Sequence, residues 1–261
     1  GEIIKSGGVV VKNVTGYDLS KLMCGSYGTL VALTEINFKV LPAPEETKTL
    51  IIHNQKVESA LYYLEKCVSS SNDISGAIFL PTEPHVPGCV MDIQKTFELN
   101  DLKHDGSITA ARIEGSKNSI DQRVESLINE LQIENLNISV LGTHQSEIFW
   151  NKVKSLEIFS RSKNSIIRVA IPPSEAANFI YQLSNKFKYY LDWGGALAWL
   201  EAFELSEEMF ESIRRKAVKL GGYVTMIKNS QYLPYVEDVF TINRERFNLS
   251  QNIKKSFDPK G

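Results

Sequence analysis

Twice along this chain the apolar pattern changes period in the same order, and that recurrence limits the fold more than any other feature. Thr47–His53 alternates like a strand, and Val57–Val68 carries Val57, Leu61, Leu64 and Val68 at helical spacing. Ile74–Leu80 and Ser107–Ile113 return to strand character. Ser116–Leu131 places Ile120, Val124, Leu127 and Leu131 on one helical face, with Ser116 or Ser119 as N-cap, and Ile138–Leu141 closes the run as a strand. A linking helix over Ser146–Ile158 follows. Then the order recurs: a strand at Ser165–Ile171, a helix at Pro173–Phe187 with proline in its first turn, and strands at Lys188–Trp193 and Ala196–Phe203 around Gly194-Gly195. A helix at Ser206–Leu220 and a strand at Gly222–Ile227 complete it. Gly88–Ile93 reads as one more strand, beyond a proline-rich loop at residues 81–88. The halves share element order and no sequence identity. Two split β-α-β units in tandem predict an α+β fold, one wide antiparallel sheet with helices on one face. Residues 241–257 add a final amphipathic helix through Ile242, Phe247, Ile253 and Phe257.

The totals exclude several functions. The 261 residues suffice for one large domain or two ordinary ones. Lys and Arg number 29 against 31 Asp and Glu, a formal charge of −2, which argues against a nucleic-acid binder. No apolar run reaches the roughly 20 residues that span a bilayer, and the N-terminus has no signal-peptide pattern. Cys24, Cys67 and Cys89 are an odd number with no C-x-x-C pair; buried thiols in a cytoplasmic protein fit them best. The chain opens on Gly1 within strand-like Glu2–Lys5 and ends on the turn Asp258–Gly261, so it reads as an internal piece of a longer protein.

A scan for self-contained chemistry comes back empty. His53, His85, His104 and His144 are scattered, and His85 and Cys89 share a proline-rich loop without a common helical face, so no metal site is expected. There is no G-x-S-x-G elbow and no phosphate-cradling P-loop. What remains is the dense stretch from Lys12 to Pro42. Tyr17–Met23 is helix-like, Cys24-Gly25 ends it, and Gly28-Thr29-Leu30 starts a long strand through Val40. Glycines on both sides of such a turn expose backbone N–H groups that can hold a phosphate or the polar edge of a flat ring. A tight turn that simply needs glycine explains the same spacing.

The residues GGVVVKNVTGYDLSKLMCGSYGTLVALTEINFKVLPAPE, Gly7 to Glu45, decide between these readings. They resemble the second half of the FAD-binding domain of the vanillyl-alcohol-oxidase/PCMH flavoprotein superfamily, whose pattern runs K-N-x-x-G-Y-D-L, G-S-x-G-T-L-G-x-x-T-E and K-x-x-P. ISGAIFLP, IIRVAIPPSE, LDWGGALAWL, GGYVTMIK and IKKSFDPKG are similar, in the same order, to the E-subunit family of bacterial glycolate oxidases. The resemblance implies FAD as cofactor. It places Gly25, Ser26, Tyr27, Gly28, Thr29 and Leu30 along FAD with Leu33 next, and Lys12, Asn13, Gly16 and Tyr17 packed nearby. Two positions depart from the pattern: Val31 stands where glycine is usual, and Tyr27 where an acid is usual.

The resemblance implies three parts: 1–45 as the end of the FAD-binding domain, 46–228 as a cap or substrate domain, and 229–261 as a truncated helix returning toward the first. It implies an FAD-dependent 2-hydroxy acid oxidoreductase that oxidises glycolate to glyoxylate. Its partners would be a homologous flavoprotein D subunit and an iron–sulfur F subunit, in the cytoplasm or at the membrane through that complex. Two alternatives stand: a non-catalytic subunit with the chemistry in the D subunit, or a dehydrogenase for another acid such as D-lactate. No catalytic residue is fixed. Arg168, and Trp193 after Asp192, are the best-placed polar candidates for the substrate; the competing reading turns Arg168 to solvent. Gly194-Gly195 reads as a hairpin turn, or as backbone able to approach a flavin. Because the pyrophosphate loop of the family's FAD domain is absent from these residues, the chain alone is expected to be inactive and to bind FAD weakly. Purified chain should show little flavin absorbance near 450 nm; stoichiometric copurified flavin would refute this.

Overall fold

The computed structural model describes residues 2–10, 16–82, 92–99, 106–133, 136–183, 187–230 and 239–260. They form two compact units, one of Gly1–Ala43 with Ile242–Gly261, the other of Pro44–Thr241. The first opens with the short helix α1 (Leu19–Met23), capped by Asp18, whose carboxylate accepts from the Lys21 N–H at 3.1 Å. The second runs β1 (Glu46–His53), α2 (Val57–Ser69), β2 (Ile74–Leu80), α3 (Ile93–Phe97), β3 (Ile108–Gly115), α4 (Ile120–Leu131), β4 (Ile138–Leu141), α5 (Thr143–Lys154), β5 (Ser165–Ala170), α6 (Ala176–Tyr181), β6 (Phe187–Asp192), β7 (Leu197–Ala202), α7 (Glu207–Lys219) and β8 (Tyr223–Lys228). The last helix, α8 (Arg244–Phe257), belongs to the first unit, where the Lys254 ammonium donates to the Thr29 carbonyl at 2.8 Å.

All eight strands make one sheet in the order β4-β1-β3-β2-β6-β7-β5-β8, every registered pair antiparallel. Each half, read from its outer edge, places its fourth strand, then its first, third and second. The recurrence in the sequence is therefore a recurrence of topology, and the halves meet through equivalent strands, β2 and β6. That seam has a single registered pair, Phe79 with Leu191. Beyond it a bulge between Ile74 and Gly76 turns β2 aside. At the far edge a return segment extends the sheet: Met226 N–H donates to Val239 and Thr241 N–H to Val224.

The four helices of the repeats share one face. Val57, Ala60 and Leu64 of α2, Phe179 and Ile180 of α6, and Phe210, Ile213 and Ala217 of α7 bury against β2, β5, β6, β7 and β8. α4 buries Ile120, Val124, Leu127 and Leu131 against β1 and β3. At roughly 1.5–3 kcal/mol per large apolar side chain, this face dominates the stability of the sheet. The linking helix α5, with α3, covers the opposite face through Phe149, Trp150, Val153 and Phe97.

Several local expectations change. Residues 83–91 lie outside the described residues, and Ile93 begins a helix, because Asp92 accepts from the Lys95 N–H at 2.9 Å; the strand over Gly88–Ile93 is not borne out at its described end. No strand runs from Gly28 to Val40. A strand exists by ladder hydrogen bonds, and among the described residues no strand pairs with this segment, which leaves Ile36, Phe38 and Val40 exposed. The helix expected over Pro173–Phe187 is a 3-10 turn at Pro173–Glu175 followed by α6, since Gln182 closes the last turn and Phe187 opens β6. Cys67 is buried, whereas Cys24, at the open end of α1, is exposed. Cys89 lies outside the described residues.

Two adjacent glycines end α7 as the sequence suggested, for separate reasons. Gly221 takes φ +80°, and the N–H groups of Gly221 and Gly222 return to the Val218 and Ala217 carbonyls at 3.0 and 2.8 Å. A Cβ on Gly221 would meet nothing within 4 Å, but one on Gly222 would lie 2.0 Å from the Ala170 carbonyl oxygen. Gly221→Ala should cost about 1–2 kcal/mol for the left-handed backbone. Gly222→Ala should cost about 3 kcal/mol or more, because β8 must leave β5. Urea unfolding midpoints of the two variants check this order.

Candidate functional site

In the first unit the glycine-dense stretch folds into one continuous turn. Gly25, Tyr27 and Gly28 all take positive φ, at +80°, +51° and +74°. Ser26 N–H donates to the Met23 carbonyl at 3.1 Å, Thr29 N–H to the Ser26 carbonyl at 3.0 Å, and the Thr29 hydroxyl to the same oxygen at 2.6 Å. The Gly25 and Gly28 N–H groups make no hydrogen bond among the described residues. A Cβ on Gly16, Gly25 or Gly28 would meet nothing within 4 Å, so these glycines are set by backbone angle and not by crowding, and the space beside them is open. Tyr17 and Tyr27 are exposed, Leu30 and Val31 half-buried, Leu33 exposed. Gly16 and Tyr17 lead directly into the Asp18 cap of α1. Lys12 and Asn13 lie outside the described residues.

In the second unit Arg168 is not turned to solvent. It stands on β5, on the sheet face away from the repeat helices, opposite Trp199 of β7 and Thr225 of β8; Trp199 in turn stands opposite Tyr190 of β6. One row thus crosses four adjacent strands: Thr225, Arg168, Trp199, Tyr190. The last two rings stack at 6.3 Å with 15° between planes. Each of the four contributes a buried polar atom with no hydrogen-bond partner among the described residues: Thr225 Oγ1, Arg168 Nε, Trp199 Nε1 and the Tyr190 hydroxyl. Burial, and then the Asp192 carboxylate, push the Tyr190 phenol pKa well up, so it stays a neutral donor. Buried polar atoms are nearly always satisfied, and four orphans in register on one face call for an explanation. Sequence reading singled out Arg168 and none of its three neighbours. Strand alternation could have put Tyr190 and Trp199 on the face of a residue opposite them, but only the strand order makes them neighbours of Arg168.

Asp192 and Trp193, weighed beside Arg168 in the sequence, lie elsewhere. They line a cavity of about 630 Å³ with Arg112, Trp150, Lys154 and the bulged Ser75 and Gly76, at the place where β2 and β6 part. None of the four row residues lines it. Gly194-Gly195 forms the β6–β7 hairpin turn, with Trp193 at φ +53° before it. A Cβ on Gly195 would come within 2.3 Å of Leu61, so this turn packs on α2. Asp192 is half-buried. Burial raises its pKa above the ordinary 3.8, against the opposing effects of the Trp193 N–H bond and of Arg112. A carboxyl with a raised folded pKa contributes its full stability below the unfolded pKa and loses it as pH rises through the folded one. Asp192→Asn keeps an acceptor for the Trp193 N–H. It should therefore be more stable than the parent at pH 7, with the difference closing toward pH 3, as read from denaturant midpoints across that range.

No protein-family model matches the chain. Two curated relatives align with its whole length: glycolate oxidase subunit GlcE of Escherichia coli K12, 26% identical, and glycolate oxidase subunit GlcD of Bacillus subtilis 168, 24% identical. The chain spans 60% and 59% of them. Among solved structures, alkyldihydroxyacetonephosphate synthase superposes on 96% of the chain with a TM-score of 0.59 at 14% identity, over 49% of its own length. Along its whole length the chain is similar to glycolate oxidase subunits, and it shares its fold with alkyldihydroxyacetonephosphate synthase.

Proposed function

We propose that this chain is part of an FAD-binding subunit of a 2-hydroxy acid oxidoreductase, with glycolate as substrate and glyoxylate as product. The observation that carries the reading is the likeness to two glycolate oxidase subunits over all of the chain. FAD, when bound, supplies the hydride-accepting chemistry. The residues of the first unit fit it: a run of open, positive-φ backbone, with Gly25 and Gly28 N–H groups that no described residue engages, suits the polar edge of a flat, anionic cofactor. In this reading Gly25, Ser26, Tyr27, Gly28, Thr29 and Leu30 hold FAD by backbone, with Gly16, Tyr17, Leu33, Lys12 and Asn13 beside them.

The row on the sheet serves the substrate. A 2-hydroxy acid needs a fixed cation for its carboxylate and donors for its oxygens. Arg168 offers the cation, and Trp199 Nε1, the Tyr190 hydroxyl and Thr225 Oγ1 offer hydrogen bonds that a ligand would satisfy. The relatives' names as subunits support a heteromeric assembly; in this reading it is cytoplasmic, with a homologous flavoprotein and an iron–sulfur subunit taking the electrons.

The test is glycolate-dependent dye reduction by the assembled complex. Arg168→Ala should raise the KM for glycolate about tenfold or more, the loss of roughly 1.4 kcal/mol or more of carboxylate binding, with flavin content unchanged. Arg168→Lys should recover part of it. Unchanged kinetics would remove Arg168 from the site and favour chemistry in the partner flavoprotein. The same assay with D-lactate separates the two acids.

A further inference from the structure

The cavity where the two halves of the sheet part is outside the reading above, and its lining is specific enough to name a ligand. Trp150 is fixed at both ends. Its Nε1 donates to the Thr49 hydroxyl at 2.9 Å, that hydroxyl donates to Ser146 at 3.0 Å, and the far edge of the indole lies against Gly76, where a Cβ would stand 2.9 Å from two ring carbons. Glycine at the bulge is what admits the ring. Arg112 is held over the indole face at 4.9 Å. Its Nε donates to the Ser75 hydroxyl at 2.9 Å and its Nη2 to the Ser75 carbonyl at 3.0 Å. With Glu114 3.4 Å from Nε, the guanidinium is anchored on one side while Nη1 makes no hydrogen bond among the described residues. Lys154, on the last turn of α5, is exposed and has no ion pair among the described residues.

The other wall is Trp193. It is 61% exposed and held at φ +53°, a conformation that costs a bulky residue of order 1–3 kcal/mol. Asp192 fixes it there by accepting the Trp193 N–H at 2.7 Å. A large ring kept in strained backbone at the mouth of a cavity is placed to receive something. Of the charged groups in the lining, Arg112 is balanced from behind by Glu114, which leaves the Lys154 ammonium and the open Nη1 edge of Arg112 as the groups that draw a carboxylate. Two indoles favour a planar body, and about 630 Å³ lies within the range of small-molecule sites. We propose that this cavity binds a small planar monocarboxylate, its ring against Trp193 and its carboxylate between Arg112 and Lys154.

Benzoate is the probe, added to the full chain and followed through the indole N–H resonances. The chain has three tryptophans, so the signals report location. Trp150 and Trp193 should shift with a common saturation curve and Trp199 should stay. Lys154→Gln and Trp193→Ala should each weaken benzoate about fivefold or more, and Asp192→Asn should tighten it. Benzyl alcohol, which lacks the charge, should bind about tenfold more weakly, or about 1.4 kcal/mol. Arg168→Ala should leave benzoate affinity unchanged. The proposal is overturned by absence of saturation, by equal affinity for benzyl alcohol, or by shifts at Trp199 abolished in Arg168→Ala, which would put the ligand on the row. It is also overturned if folded Trp193→Ala and Lys154→Gln variants bind as the parent does. Failure of the glycolate assay on Arg168→Ala leaves these readouts untouched.

Discussion

The contact between Phe79 and Leu191 is the one on which the eight-stranded sheet depends. Inside each half, neighbouring strands pair over four to eight registered positions; between the halves they pair at one. Backbone hydrogen bonding cannot hold such a seam by itself. It is held from the helical face, where α2 of the first half packs in one core with Tyr189, Leu191 and α6 of the second. The hairpin turn is drawn into the same contact: Gly195 has no room for a Cβ beside Leu61, and one on Gly194 would stand 3.0 Å from Val68. Holding the seam at one end leaves the strands free to diverge at the other, and the cavity is the space that divergence opens.

Three groups of buried polar side chains on the same sheet face show the difference between structure and readiness for a ligand. Thr49, Ser146 and Trp150 satisfy one another and the Leu141 carbonyl, and this closed network pins α5 to the sheet. Glu201, almost fully buried, is likewise satisfied by Asn164 at 2.8 Å and by Ser162. Among the described residues the row through Arg168 has no such closure. An unsatisfied buried polar atom costs on the order of 1–3 kcal/mol. Four side by side are a large fraction of a domain's net stability unless something else completes them.

Much of the fold was legible because the halves repeat a pattern of periods. The helical faces of α2, α4 and α7 and the Ser206 cap, which accepts from the Met209 N–H at 3.2 Å, follow from apolar spacing and from residue types that act locally. What failed was whatever depended on a neighbour. The segment after Gly28 has strand-like composition, but a strand is made by its partner. Ile93 reads as the end of an apolar strand until the Asp92 cap is considered. For the site, backbone glycines were legible because positive φ is a property of the residue. The surroundings of Arg168 were not, because Trp199, Tyr190 and Thr225 reach it only through strand order, and the Arg112–Trp150 pair only through a bulge.

The two outer strands of the sheet end in different ways. Every open sheet leaves a row of unpaired backbone groups at each side, a template on which another chain can add. At β8 the return segment through Val239 and Thr241 already occupies part of that row. At β4 the exposed margin is four residues long, with one outward apolar side chain, Val140. A second sheet seeking to grow on this one finds one side partly taken and the other too short to hold a stable ladder. The tandem repeat can therefore build a sheet of eight strands without creating a nucleus for aggregation.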